Sequence, residues 1–156
     1  MNFDKLSGLE FVRNILEGHI PPGGMVAQVM PMEVIEVVRG YVKCHAKADK
    51  RHTNPFGGVH GGFAATVLDS VTALAVHTML EPGIGFATLD LNIRMLKPIP
   101  LGTELVGEGR VIHLSTKIGM SEGTLKDTAG NLYTHSTAVC IIDRMSPGLP
   151  SEDPEA

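Results

Sequence analysis

Hydrophobic positions recur with different periods along this chain, and each period names an element. Leu9, Val12 and Leu16 share one face of a helix, and Ser7 followed by Glu10 has capping-box spacing at its start. Gly18 and then Pro21-Pro22 end it. Gly23 to Met30 is ambiguous and fits a short helical turn. Glu33 to Arg39 and Tyr41 to Ala48 are β-rich and read as two strands joined at Gly40.

Then the alternation stops. Asn54, Pro55, Phe56, Gly57 and Gly58 form a turn, and after Gly62 no helix breaker occurs until Pro82 and Gly83. Phe63, Ala64, Ala65, Val67, Leu68, Val71, Ala73, Leu74, Ala75, Val76, Met79 and Leu80 leave this helix no wide polar face. Such a helix must be buried on most sides. Its one acid before Glu81 is Asp69. A membrane span is a poor reading, because Asp69, His60, His77 and several hydroxyls interrupt it.

From Phe86 the period changes to two. Leu89, Leu91, Ile93 and Met95 alternate with Thr88, Asp90, Asn92 and Arg94, a half-buried strand that puts Thr88 on the polar side. Lys97-Pro98-Ile99-Pro100 breaks it. Thr103 to Leu114, Lys117 to Lys126 and Leu132 to Asp143 read as three more strands, with Asp127 to Asn131 as the last hairpin turn. Residues 144–156, with three prolines and three acids, read as a disordered tail. Strands on both sides of one apolar helix are most economically arranged as a single antiparallel sheet curled around it, an α+β layout. One such sheet cannot easily cover the helix all round, so a dimer is expected.

Composition narrows the function classes. A length of 156 residues fits one domain, and the net charge of −4 with scattered basic residues gives no nucleic-acid stripe or membrane-binding face. Cys44 and Cys140 form no C-x-x-C pair, and the N-terminal stretch lacks a signal peptide's apolar core, so a soluble, reducing, cytoplasmic setting is the default expectation.

Asp69 carries the chemical interest. Taking a lone carboxylate out of water costs several kcal/mol unless it is paired or hydrogen-bonded. It is therefore either a structural acid partnered in the core or a functional one, and the functional reading is preferred. A carboxylate in apolar surroundings is a stronger base than one in water. The helix start supplies a complementary group: unpaired N–H groups, a partial positive charge, and glycines that allow close approach. The plainer reading of Gly57, Gly58, Gly61 and Gly62 is tight entry into a packed helix.

The run Asn54-Pro55-Phe56-Gly57-Gly58-Val59-His60-Gly61-Gly62, with Asp69 nine residues after the histidine and Thr88 in the next strand, resembles the hotdog-fold acyl-CoA thioesterases of the phenylacetyl-CoA and human thioesterase-superfamily type. The resemblance implies an antiparallel sheet wrapped around one long central helix over residues 25–143, after an N-terminal helix and linker over 1–24 and before the tail. It implies hydrolysis of acyl-CoA thioesters by a homodimer or homotetramer. Gly61 would supply the oxyanion amide and Asp69 the base or nucleophile. Asn54 and Thr88 would position water or acid. Without the resemblance, Asn54 is a turn residue, Thr88 a β-favouring threonine, and His60 orients the turn as readily as it touches substrate. Family members with glutamate at the acid position use a different arrangement, so aspartate favours this group.

Asp69 lies eight residues beyond Gly61 on one helix, about 12 Å along its axis, so the two cannot grip one carbonyl together. If both act, Gly61 of one subunit meets Asp69 of another across a symmetry axis. Arg94, Lys97, Arg110 and Lys117 are candidate phosphate ligands for coenzyme A, and each also reads as a solvated charge. Gly119-Met120-Ser121-Glu122-Gly123 matches a nucleophile elbow, but a hairpin follows it and the chain is too short for that fold. The seven histidines show no ligand spacing, so neither metal nor cofactor is expected, coenzyme A being part of the substrate. Rival readings are a hotdog enoyl-CoA hydratase or dehydratase, with the histidine acting on the acyl chain, and a non-catalytic acyl-CoA binder with Asp69 structural.

Overall fold

The structure is a computed structural model that describes residues 5–21 and 28–143. The tail expected at 144–156 lies outside the described residues, as does most of the ambiguous stretch from Gly23; Gln28 and Val29 at its end are helical. Helix α1 (Gly8–Leu16) begins at the expected capping box: the Ser7 hydroxyl accepts the Glu10 N–H, and the Glu10 carboxylate accepts the Ser7 N–H at 2.8 Å. Strands β1 (Met32–Val38) and β2 (Tyr41–Lys47) turn at Gly40, whose φ of 76° is one that a side chain would oppose. A short 3-10 turn, Lys50–His52, was not legible beforehand; Asp49 caps it by accepting the Arg51 N–H.

The central helix α2 (Gly61–His77) is followed by β3 (Gly85–Met95), β4 (Glu104–Leu114), β5 (Ile118–Asp127) and β6 (Leu132–Asp143). The six strands form one sheet in the order β1-β2-β4-β5-β6-β3, each neighbouring pair antiparallel. This sheet wraps α2 as a hotdog fold. Phe63, Ala64, Val67, Leu68, Val71, Thr72, Ala75 and Val76 are buried, each large apolar side chain contributing about 1.5–3 kcal/mol. The helix settles deep because β4 and β5 are bare beneath it: a Cβ on Gly109 would lie 2.2 Å from the Val71 carbonyl oxygen. The opposite face is not enclosed within one chain, and Ala65, Thr66, Asp69 and Ser70 remain half-exposed. Among the described residues no helix is long and apolar enough to cross a membrane.

Two expectations need correction. The helix ends at His77, not at Pro82: Thr78 caps it, its hydroxyl donating to the Ala75 carbonyl and accepting the Gly40 N–H. The strict alternation of β3 also fails. Thr88 pairs with Cys140 and Asp90 with Val139, so Leu89 is an inserted bulge residue. The bulge reverses the phase: Phe86, Thr88, Leu91, Ile93 and Met95 lie opposite Ile142, Cys140, Ala138, Ser136 and Thr134, the helix-facing side of β6. Thr88 is therefore on the helix side, not the polar side with Asp90 and Asn92. Nor is the strand half-buried throughout; β3 is an end strand, and Leu89 and Met95 are 66% and 55% exposed.

The end of α2 is closed by α1. Gly8 N–H donates to the Leu80 carbonyl, and the His77 ring lies between Phe11 and Phe86, with centroids 5.2 and 4.8 Å away. Burial lowers the His77 pKa from 6.5 to about 4. The unfolded chain thus takes up this proton first as pH falls, so stability is complete above pH 6.5 and declines toward pH 4. Thermal melts should show this decline, of order 2 kcal/mol, and His77→Phe, which keeps a ring and loses the proton, should flatten it.

Candidate active site

The structure sorts the expected site residues into two groups on the same helix. In the first, the Thr88 hydroxyl donates to Asp69 Oδ1 at 2.9 Å, brought there by the phase change at Leu89. These two, with Ala65, Thr66 and Leu89 to Leu91, line an open depression of about 570 Å³ between α2 and β3. Asp69 is half-buried and Thr88 exposed within the single chain. The depression leaves the acid an open approach.

The second group gathers at the start of α2. Asn54 Oδ1 accepts the Phe56 N–H at 2.9 Å and the Gly58 N–H at 3.2 Å, while Gly57, with φ of 84°, donates to the Asn54 carbonyl. Asn54 therefore holds the turn through its oxygen. His60 is the N-cap residue: its Nδ1 accepts the Gly62 N–H at 2.9 Å and its carbonyl accepts the Phe63 N–H at 3.0 Å. Of these first N–H groups, that of Gly61 has no acceptor among the described residues. A free amide at a helix N-terminus suits a developing oxyanion.

Sequence reasoning missed a close neighbour of this glycine. Met95 at the end of β3 packs on Gly61 so closely that a Cβ there would lie 2.6 Å from its sulfur. Gly61, Met95 and Lys97 help line a second cavity of about 290 Å³. Among the four candidate phosphate ligands, Lys97 is the one in this lining, whereas Arg110 stacks over the Tyr41 ring at 5.0 Å. Ser121, the elbow candidate, is fully buried in the middle of β5 and has no helix after it, so no nucleophile elbow exists there.

Asp69 and Gly61 are on one uninterrupted helix, so the separation of about 12 Å stands. What one chain offers is an acid with a hydroxyl donor at one point and an unfilled amide at another. Either group could serve one carbonyl only if the complement came from elsewhere.

A family model described as the Thioesterase superfamily matches residues 56–134, from the turn before α2 to the start of β6. Acyl-coenzyme A thioesterase 13 of Homo sapiens is 28% identical over 96 residues, 62% of this chain and 68% of that protein. Among solved structures, a phenylacetic acid degradation-related protein of Ralstonia eutropha JMP134 superposes with a TM-score of 0.74 at 29% identity, covering 83% of this chain and 97% of that one. A Streptococcus mutans UA159 protein, solved bound to acetyl CoA, shares the fold with a TM-score of 0.70 at 20% identity, over 80% of this chain and 95% of its own.

Proposed function

Because the chain belongs to the thioesterase superfamily of thioester hydrolases, we propose that it cleaves acyl-CoA thioesters to the free carboxylic acid and coenzyme A, with Asp69 as the residue that delivers oxygen to the carbonyl carbon. The observation that carries this reading is the Thr88–Asp69 hydrogen bond at 2.9 Å beside an open depression. Thr88 takes up one carboxylate oxygen and leaves the other for chemistry.

Two routes use the same geometry. Asp69 removes a proton from water as the water oxygen bonds to the carbonyl carbon, or it attacks that carbon itself and water then cleaves the mixed anhydride. In both, the C–S bond breaks, the proton goes to the coenzyme A thiolate, and the net change is thioester plus water to acid plus thiol. The carbonyl oxygen gathers negative charge on the way, and the Gly61 N–H at the helix start stabilises it. Gly61 comes from a second subunit, since the two groups of one chain are too far apart. A homodimer is the smallest assembly that completes a site, and a homotetramer repeats it. Asn54, whose oxygen is occupied, acts through its Nδ2 donor, and His60 sets the helix start from which the Gly61 amide projects. Lys97, which shares a cavity lining with Gly61, supplies a cation for a coenzyme A phosphate in this reading.

Thiol release from a panel of short-chain, long-chain and aryl acyl-CoA esters tests the reading. Turnover on at least one member supports it. Saturable binding without turnover would favour the non-catalytic binder, and water addition to an enoyl-CoA without thiol release would favour the hydratase.

A further inference from the structure

We infer that His52 is a positioning residue for the Gly61 amide, because it holds a residue on either side of Gly61 at the start of α2. This rests on the assignment of Gly61 as the oxyanion donor. His52 ends the 3-10 turn that precedes the glycine-rich loop. Its carbonyl accepts the His60 N–H at 2.8 Å, and the next pair inward, Thr53 and Val59, forms an antiparallel bridge. The loop is thereby closed at its neck. The His52 ring meets the Phe63 ring edge-on, with centroids 5.0 Å apart, and Phe63 is buried in the first turn of α2. Gly61 stands between His60 and Phe63, and both lean on His52.

The ring is itself held from two sides. Its Nε2 lies 2.6 Å from the Val29 carbonyl oxygen, and its Nδ1 is 3.1 Å from the Asp49 backbone nitrogen. A carbonyl can only accept and a backbone N–H can only donate, so the two bonds select the neutral ring with its proton on Nε2. Asp49 Oδ1 is also 3.1 Å from Nδ1, but it already accepts the Arg51 N–H and Nε–H. The His52 side chain is 9% exposed, so water would not replace a lost partner well. One ring therefore ties Val29 and Asp49 to the start of the central helix. An oxyanion donor must point where charge develops, and a misplacement of about 1 Å can cost about a hundredfold in rate.

His52→Phe keeps a ring beside Phe63 and removes both nitrogen partners. It should lower kcat by about tenfold with KM within about twofold of wild type. His52→Gln, whose amide can donate to the Val29 carbonyl as Nε2 does, should recover kcat to within about threefold. In a Gly61→Ala background His52→Phe should cost no further kcat, since the amide is already obstructed. If His52→Phe does not fold, His52→Asn, which keeps an acceptor for Asp49 and gives up Val29, takes its place with the same expectations. The amide is also read without turnover. The NMR order parameter of the Gly61 N–H should be near 0.85 in wild type and fall toward about 0.6 in His52→Phe, with the β5 amides unchanged. An equal loss of kcat in both backgrounds, or a Gly61 order parameter that stays in place, overturns the positioning role. A wild-type protein with no turnover on any acyl-CoA, whose Gly61 amide still loosens in His52→Phe, overturns the hydrolase reading and leaves the positioning role standing.

Discussion

Asp69→Asn is expected to lower kcat for acyl-CoA hydrolysis by at least about a hundredfold and to leave fold and oligomer unchanged. Asparagine has nearly the same shape, and its side-chain oxygen can still accept the Thr88 proton now held by Oδ1 at 2.9 Å. What it lacks is a group able to take a proton from water or to attack a carbonyl. Substrate binding does not depend on that capacity, so KM should change little. The checks are thiol release at saturating substrate, a thermal melt and sedimentation. Activity within about tenfold of wild type would remove Asp69 from the chemistry while leaving the hydrolase reading in place.

Gly61→Ala is the second large effect, expected at about ten- to hundredfold in kcat. The new methyl would lie 2.6 Å from both the sulfur and the methyl carbon of Met95, which is the far end of a flexible side chain on an exposed strand end. Met95 can therefore move, and the fold should tolerate the change. Alanine also favours the helical conformation over glycine. The methyl stands next to the amide, however, where the carbonyl oxygen must approach. A melting temperature equal to or above wild type with a large loss of kcat separates the oxyanion role from plain packing. An unchanged kcat would return Gly61 to the role of a helix-entry glycine.

Much of this was legible because it is written in local pattern. The capping box at Ser7 and Glu10, the hairpin at Gly40 and the strand ends near Leu114, Asp127 and Asp143 depend on neighbours a few residues away. So does the apolar run of α2 with its single acid. The turn at Asn54 and the helix start at Gly61 stood out through their glycines. The bulge at Leu89 did not, because an inserted leucine continues the apolar alternation and hides the change of phase at Thr88. Pattern alone therefore put Thr88 on the wrong side, although the family resemblance gave it a part in positioning water or acid. The end of α2 was misplaced because Thr78 stops the helix through its hydroxyl before any proline is reached. The contact of Met95 with Gly61 joins residues far apart in sequence, and no local signal records it.

The same helix that gives this chain both groups also keeps them about 12 Å apart, so the proposed hydrolytic site takes its two halves from two subunits. Chains carrying Asp69→Asn and chains carrying Gly61→Ala should be unfolded together in equal amounts, refolded, and assayed for thiol release. Random pairing makes half of the dimers mixed. In each of these, one of the two sites combines the intact Asp69 of one chain with the intact Gly61 of the other. Activity should therefore rise to about a quarter of wild type, well above either parent. Activity equal to the mean of the two parents, with mixed dimers demonstrably formed, would contradict a site built from two subunits.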